Sequence, residues 1–328
     1  MHEHRRALIL LVAVLVLAAG GFGIASYLEE SQRKEDLSTS SADFGQLPTI
    51  TWNGETWRQK AGVHSILVIG YDKSATDERV GYRDGGQSDS LMVLVVNDQD
   101  RTVRQLHIDR DTMARVWTIG LSGKEGGSRI MQICLAHAYG RTIEENDART
   151  VRSVENFLPG LKIENTVSMG LDIVPNFNHL LGGVTVTIEE DLTSIDPAMV
   201  KGATLKLTDE QAYWFTRVRM TVGDGKNTSR MARQRAFIQA ASQLMLQRIQ
   251  SDGSFAATLV NSVDDITHCT MSKGRLISEM NRAATYKLGE AETLPSEHEY
   301  GRGGYMECYV KEEDVMNWVL DALYDKIS

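Results

Sequence analysis

A long apolar run stands near the start of the chain: residues 7–28 read ALILLVAVLVLAAGGFGIASYL and carry no formal charge. A helix rises about 1.5 Å per residue, so this run would cover about 30 Å, the thickness of a bilayer's hydrocarbon core. A buried core helix and a cleaved signal peptide, whose apolar region spans about 7–15 residues, are the alternatives. Because the run continues through Phe22, Ile24 and Tyr27, we expect an uncleaved transmembrane anchor.

The charges beside this run indicate its orientation. Arg5 and Arg6 precede it, whereas acidic residues dominate just after it. Basic residues stay on the cytoplasmic side of a membrane. We therefore expect residues 1–28 to form a cytoplasmic tip and anchor, and the main domain to be extracellular. Residues 29–48 are polar and poor in apolar side chains, which is typical of a linker.

Beyond the linker, short apolar runs alternate with amphipathic segments. Strands are predicted at 63–70, 91–96, 103–108 and 184–188, with turn residues 97–100 making a hairpin of the second and third. Helices are predicted at about 142–158, from the capping box at 208–211, at 229–250 and at 312–326. The pattern predicts an α/β fold, a layered α-β-α domain around a mainly central mixed sheet. We expect one domain at 49–250, with a C-terminal extension at 251–328 packing on it.

The composition is that of an ordinary globular protein, with 42% hydrophobic and 24% charged residues. It excludes collagen-like and fully disordered classes. The net charge of −9 opposes nucleic-acid binding, because a phosphate backbone attracts basic surfaces. Cys134, Cys269 and Cys308 are too few for a disulfide scaffold and fit no zinc-binding spacing. A disulfide between Cys269 and Cys308 is conceivable, and the sequence leaves it open.

Polar side chains stand where the predicted strands begin or end, and α/β folds bind ligands at strand ends. Asp72 follows the first strand, and Gln87 and Asp89 come just before the second. Arg110 and Asp111 follow the third strand. Carboxylates at such positions suit Mg²⁺, which prefers one or two carboxylates plus substrate phosphates.

Arginines form a second group. Arg217 and Arg219 are two positions apart, so their side chains face one way if the segment is extended. Arg230 and Gln234 are spaced i, i+4 and share one face near a predicted helix start, where backbone N–H groups attract anions. Arginine clamps phosphate oxygens in a planar, bidentate manner.

Taken singly, these signals are more often structural, as turn formers, helix caps or solvated faces. Together, the carboxylates and arginines indicate a metal-bridged polyphosphate ligand and phosphoryl transfer. The sequence contains neither a Walker loop nor a G-x-S-x-G nucleophile elbow.

Seven segments occur in order between about Val63 and about Leu246: SILVIGYD, GGQSDSLMVLVVND, LHIDRDTM, LAHAYG, LLGGVTVTI, LTDEQAYWFTRVRM and SRMARQRAFIQA. This series resembles the LytR-CpsA-Psr family of bacterial cell-wall proteins. The resemblance implies a phosphotransferase that moves an anionic glycopolymer, such as teichoic acid or capsule, from an undecaprenyl-pyrophosphate carrier to peptidoglycan. It also implies a site at the outer membrane face of a Gram-positive-type bacterium.

The resemblance assigns roles residue by residue. Asp72 and Asp89 match carboxylates that hold Mg²⁺ (or Mn²⁺) on the pyrophosphate. Arg110 matches a catalytic arginine with Asp111 beside it, and our hypothesis for the general base is Asp89 or Asp111. The residues implied to bind the pyrophosphate are Arg217, Arg219, Arg230, Gln234 and Gln87.

The chain departs from the family pattern at several positions. Gln87 stands where an arginine is usual, and Gln132 where a basic residue is frequent. Asp109 replaces a proline, and the acidic residue before the long helix is displaced, which leaves Asp224 or Asn227 as candidates. These changes bear on affinity and substrate choice.

Other functions remain open from sequence. A lipid-pyrophosphate hydrolase would use water as the acceptor, and a non-catalytic module would hold polyprenyl phosphate or wall glycans. Transcriptional regulation is opposed by the expected extracellular orientation and by the acidic charge.

Overall fold

Strands and helices alternate along the part of the chain that the computed structural model describes, residues 47–74, 84–120, 122–170, 172–218, 222 and 227–327. The strands are β1 (Thr49–Trp52), β2 (Glu55–Gln59), β3 (Val63–Tyr71), β4 (Ser88–Asn97), β5 (Thr102–Ile108), β6 (Met113–Ile119), β7 (Glu125–Gln132), β8 (Asn165–Met169), β9 (Thr185–Thr187), β10 (Thr204–Lys206), β11 (Thr267–Cys269), β12 (Lys287–Glu292), β13 (Ser296–Tyr300), β14 (Met306–Val310) and β15 (Tyr324–Lys326). The helices are α1 (Ile143–Phe157), α2 (Ile173–Leu180), α3 (Asp209–Arg217), α4 (Asn227–Ser251), α5 (Phe255–Val263), α6 (Lys273–Ala283) and α7 (Glu312–Leu323). Short 3-10 helices cover Ile133–Ala138 and Asp264–Ile266.

A six-stranded sheet in the order β11-β8-β3-β4-β5-β12 forms the centre of the fold. β3 is parallel to β8, and β5 is parallel to β12. β4 is antiparallel to both β3 and β5, and β11 is antiparallel to β8. The apolar runs of β3 and β4 lie at the centre, because strands covered on both faces need apolar residues on both. The expected mixed α/β fold with a central sheet is confirmed.

Two apolar cores cover opposite faces of this sheet, since successive strand residues face opposite ways. Ile66 and Val68 of β3 pack with helices α2 to α6 in one core. Leu67 and Ile69 pack with α1 and α7 in the other. Full burial of one such side chain contributes about 1.5–3 kcal/mol. A charged residue at any of these positions would disrupt one of the two layers.

Side-chain caps fix the starts of two helices. Thr142 accepts a hydrogen bond from the Glu145 amide at 3.3 Å before α1. The predicted capping box is present before α3: the Thr208 hydroxyl accepts from the Gln211 amide, and the Gln211 side chain accepts from the Thr208 amide. Both caps satisfy N–H groups that a helix start leaves unpaired.

The chain after residue 250 contributes strands to both edges of the sheet, β11 beside β8 and β12 beside β5. The final helix was predicted to reach Lys326, and this boundary is wrong, because α7 ends at Leu323 and β15 follows, paired with β2. The reason is tertiary: Tyr324 is buried and its hydroxyl donates to the Gly160 carbonyl at 2.8 Å.

Among the described residues, no helix is both long and apolar enough to cross a membrane. The anchor expected at residues 7–28 and most of the linker at 29–48 lie outside the described residues.

Candidate active site

Three segments with predicted site residues meet at one end of the central sheet. Because β4 is antiparallel to both neighbours, its first residues lie beside the last residues of β3 and β5, as the pairing of Leu91 with Ile108 shows. The order of these strands therefore gathers Asp72, Asp89 and Arg110, which are far apart in sequence.

Asp89 lies at the centre of this group of residues. Its carboxylate forms one ion pair with Arg110 and a second with Arg230, whose Nη1 lies 3.4 Å from Oδ2. All three are buried, with 2%, 5% and 0% of Asp89, Arg110 and Arg230 exposed. Charges removed from water in this way are stable only when they are paired. The pairing brings two guanidinium groups to one carboxylate.

Arg110 also contacts other polar groups. Its Nη2 donates to the Gln87 side chain and lies 3.3 Å from the Cys134 sulfur, and its Nε lies 3.3 Å from Asp111 Oδ1. Burial alone would lower the pKa of this guanidinium, but Cys134, Asp111 and Asp72 together raise it above its usual value. Arg110 is therefore held as a cation.

Asp72 is tied to the segment before β4. Its Oδ1 accepts from the Gln87 amide at 2.6 Å, and its own amide donates to the Gln87 carbonyl at 3.0 Å. Gly86 has a positive φ of 80°, and a Cβ there would lie 3.0 Å from Asp72 Oδ1. A glycine at this position lets the carboxylate approach the loop. We call Asp72, Gln87, Asp89, Arg110, Asp111 and Arg230 the Asp89 cluster.

The start of α4 supplies Arg230 and its support. Asn227 accepts from Arg230 Nη2 at 2.6 Å and donates to Asp109 at 2.8 Å. Gln234, one turn further, donates to the Thr216 carbonyl at 3.2 Å and so joins α4 to α3. The predicted i, i+4 pair thus lies on one face, but Gln234 links helices while Arg230 joins the cluster.

Arg217 is the last residue of α3 and is 5% exposed. Its guanidinium lies over the Tyr213 ring, 4.9 Å from the centroid, at the junction of α3 with α4. Arg219 and Asp224 lie outside the described residues. The condition under which Arg217 and Arg219 would face one way, an extended segment, is not met at Arg217, which is helical.

Two of the positions that depart from the family pattern, Gln87 and Gln132, have structural partners. Gln87 accepts from Arg110 instead of offering a second cation. Gln132 lies 3.4 Å from Asp111 Oδ1 and donates to the Met306 carbonyl at 2.7 Å. Neutral amides therefore hold the orientations of Arg110 and Asp111.

A histidine network beside Gly86 and Tyr71 was not found by sequence reasoning. His137 stacks on Tyr71 with ring centroids 4.8 Å apart, and its Nδ1 lies 3.2 Å from the Gly86 carbonyl. Its Nε2 lies 3.3 Å from Asp147, a buried residue of α1 that also contacts His268 at 2.7 Å. No spacing signal marks these residues, because His137, Asp147 and His268 come from three separate elements.

The pKa of Asp147 reflects this network. Burial alone would raise the pKa of its carboxyl, but the contact with His137 and hydrogen bonds with His268 and Ser168 hold it below the usual value of 3.8. The carboxylate is therefore ionised at neutral pH. Through His137, which contacts Gly86, it supports the segment before β4.

Two cavities of the described part differ in chemistry. One of about 110 Å³ lies between β5, α4 and the β13–β14 hairpin and is lined by polar and apolar side chains, Asp109 and Met231 among them. The other, of about 230 Å³, lies between β8, β11, α5 and α6 and is largely apolar, with Leu259, Met271 and Met280 in its wall. Neither is lined by a described residue of the Asp89 cluster.

The Asp89 cluster fits a hard divalent cation by its donor chemistry. Asp72 and Asp89 offer carboxylate oxygens, the ligands that Mg²⁺ prefers. The cluster holds three carboxylates and two guanidiniums, a formal charge of −1, so that a cation and an anionic ligand together are compatible with its electrostatics.

The cysteines do not pair with one another. Cys134, Cys269 and Cys308 are free thiols, and Cys269 lies on edge strand β11 while Cys308 lies on β14. Burial raises the pKa of Cys134 to about 11, so that it faces Arg110 as a neutral thiol.

Comparison with known proteins gives a consistent result. The model of the LytR_cpsA_psr family matches residues 24–296. A protein of Bacillus anthracis named polyisoprenyl-teichoic acid–peptidoglycan teichoic acid transferase TagU is 30% identical over 175 residues, which cover 53% of this chain and 50% of that protein. The corresponding transferase TagV of Bacillus subtilis is 27% identical over 220 residues, 65% of this chain and 51% of that protein. The chain spans about half the length of the curated relatives it matches.

A solved structure supports the fold. The crystal structure of Bacillus subtilis TagV superposes with a TM-score of 0.61 at 18% identity and covers 80% of this chain and 98% of that one. At this identity the likeness concerns the fold.

Proposed function

The chain belongs to the LytR_cpsA_psr family, and from that premise we propose that it is a phosphotransferase acting on the cell wall. Its donor would be an anionic glycopolymer on an undecaprenyl-pyrophosphate carrier, and its acceptor peptidoglycan. The observation that carries the proposal is the Asp89 cluster, in which buried Arg110 and Arg230 converge on one carboxylate. The names of the transferases TagU and TagV support the same class of reaction.

Arg110 and Arg230 are the groups that would bind the diphosphate. Asp89 forms one ion pair with each guanidinium, and phosphate oxygens would take over part of this pairing. Guanidiniums already fixed in a site that excludes water stabilise charge that develops on phosphate without reorganising. Gln87 and Asn227 orient the two arginines through hydrogen bonds.

The transfer exchanges one phosphorus–oxygen bond for another. A sugar hydroxyl of the acceptor attacks the phosphorus next to the glycan, and the bond to the lipid-side phosphate oxygen breaks, which releases polyprenyl phosphate. Mg²⁺ or Mn²⁺, held by Asp72 and Asp89, would neutralise part of the negative charge of the diphosphate. With those two carboxylates engaged, Asp111 is our assignment for the base that takes the hydroxyl proton.

The lipid part of the donor requires apolar surroundings. The apolar cavity between β8, β11, α5 and α6 has suitable chemistry for isoprenoid units, with Leu259, Val263 and Met280 in its wall. An anchor at residues 7–28 would hold the domain at the outer face of the membrane, where the carrier is embedded.

A direct assay tests the proposal. Purified full-length protein in detergent is incubated with a lipid-pyrophosphate glycopolymer, peptidoglycan oligomers and Mg²⁺, and the linked product is measured by mass spectrometry. We expect product from the unchanged protein and a loss of about 10²–10³-fold in Arg110→Ala, typical of removing one electrostatic group from a reacting site. Arg275→Ala is the matched control, because Arg275 is exposed and pairs with Glu279 of the same helix at 4.0 Å.

Three results would contradict the proposal in different ways. Absence of linked product with several glycopolymers, in the unchanged protein and in Arg110→Ala alike, would reject the transferase. Free sugar phosphate without linkage would instead identify a lipid-pyrophosphate hydrolase. Tight lipid binding without turnover, unaffected by Asp89→Asn, would identify a binding module.

A further inference from the structure

A cluster of three possible metal ligands lies outside the Asp89 cluster. Strands β13 and β14 form an antiparallel hairpin in which His298 is directly opposite Cys308, so the two side chains share one face. The hairpin packs against the end of β5, where the His298 Nε2 lies 3.1 Å from Asp109 Oδ2. One donor atom from each of Asp109, His298 and Cys308 lies within 4.8 Å of the other two.

We propose that Asp109, His298 and Cys308 form a binding site for Zn²⁺. Thiolate, imidazole and carboxylate are the three ligand types that zinc takes in proteins, and three protein ligands leave a fourth position for water. A sulfur and a nitrogen ligand also distinguish this site from the oxygen-only pair Asp72 and Asp89, which suits Mg²⁺.

Burial and charge favour a cation at this position. Cys308 is fully buried, while the side chains of Asp109 and His298 are 10% and 26% exposed. A thiolate, a carboxylate and a neutral imidazole carry a charge of −2, so Zn²⁺ gives a neutral assembly that burial does not penalise. The remaining exposure at His298 supplies an entry path from solvent.

The surroundings leave room for the fourth ligand. All three residues line the cavity of about 110 Å³, and a water molecule needs about 30 Å³. His107 lines the same cavity and is 98% buried, and its Nδ1 has no hydrogen-bond partner among the described residues.

The zinc site would also be connected to the Asp89 cluster by a chain of side-chain contacts. Asp109 binds His298 through Oδ2, while Oδ1 accepts from Asn227 at 2.8 Å, and Asn227 accepts from Arg230 at 2.6 Å. Metal bound to Asp109 would hold this chain of contacts in one orientation. The hairpin is joined to the same segment by the Cys308 amide, which donates to the Asp111 carbonyl at 2.9 Å.

Sequence spacing could not reveal this site. Asp109 is separated from His298 by 189 positions, and the two come together only because the hairpin packs against the end of β5. The proposal does not depend on the transferase activity, since it concerns metal binding alone.

Metal titration of the full-length protein in detergent, stripped with a chelator, tests the proposal. We expect one equivalent of Zn²⁺ to bind with a dissociation constant below about 1 μM, measured by competition with a chromogenic chelator, and Co²⁺ to give a sulfur-to-metal charge-transfer band. Cys308→Ser should abolish the band, and His298→Ala should weaken zinc binding at least tenfold. Cys269→Ser is the matched control, because Cys269 lies on β11, away from the hairpin.

His298→Ala is the variant that should disturb folding least, because His298 is the most exposed of the three ligands. Its circular dichroism spectrum should equal that of the unchanged protein. Less than 0.2 equivalents of bound Zn²⁺, a cobalt band that survives Cys308→Ser, or equal loss of binding in Cys269→Ser would each overturn the site.

Discussion

Replacing Asp89 by asparagine tests how much the buried ion pairs of this residue stabilise the folded protein. The substitution keeps the size of the side chain but removes the charge that pairs with Arg110 and Arg230, which are 5% and 0% exposed. Breaking a buried ion pair costs about 3–5 kcal/mol, because the remaining charge loses its compensation. Arg110 retains Asp111 at 3.3 Å, whereas Arg230 retains the neutral Asn227. We therefore expect a loss of about 3–5 kcal/mol.

Guanidinium denaturation of the full-length protein in detergent, followed by tryptophan fluorescence, measures this loss. Asp321→Asn is the matched control: Asp321 also pairs with an arginine, Arg104, at 2.6 Å, but its side chain is 77% exposed. An exposed pair contributes about 0–1 kcal/mol, so the control should change little. If Asp89→Asn lost no more stability than Asp321→Asn, the buried pairs would not be the stabilising contacts that we infer.

Three further predictions concern the surroundings of the Asp89 cluster. Gly85→Ala should lower the free energy of unfolding by about 1–3 kcal/mol, because a Cβ there would collide with the His137 carbonyl oxygen; chemical denaturation measures the change, and an unaltered midpoint would contradict it. Asp147→Asn should flatten the pH dependence of stability: the pKa of Asp147 is depressed in the folded protein, so its contribution is complete above the unfolded value near 3.8 and is lost as the pH falls through the folded value. Denaturation midpoints measured from about pH 5 down to about pH 2, the range in which this contribution is lost, should fall less steeply in that variant than in the unchanged protein. Removal of divalent cations by a chelator should stop glycopolymer transfer and added Mg²⁺ should restore it, while Asp72→Asn should raise the Mg²⁺ concentration for half-maximal rate by about tenfold, as loss of one ligand worth about 1.4 kcal/mol would; an unchanged requirement would remove Asp72 from the metal site.

The sequence predicts three adjacent strands of the six-stranded sheet, β3, β4 and β5, and misses β8, β11 and β12. The runs at 63–70 and 91–96 lie within β3 and β4, which were found because strands buried on both faces must be apolar throughout. The capping box at Thr208 and Gln211 also marks the start of α3 correctly. Tertiary contacts decide where α7 ends, since burial of Tyr324 outweighs the helical period that continued to Lys326.

The members of the candidate site follow from sequence only in part. Asp72, Asp89 and Arg110 stand at strand ends, where strand order brings them together, and the motif series assigns Arg230 to the same site. The supporting residues could not be found in this way. His137 and Asp147 act through partners on other elements, and His298 reaches Asp109 from a hairpin 189 positions away. No local pattern records such contacts.

A crystal structure of the protein with a polyprenyl diphosphate and Mg²⁺ tests the central claim most directly. The account predicts phosphate oxygens within hydrogen-bond distance of the Arg110 and Arg230 guanidiniums, and the metal between the ligand and the carboxylates of Asp72 and Asp89. A diphosphate bound elsewhere, with the Asp89 ion pairs intact and the metal away from Asp72, would contradict it.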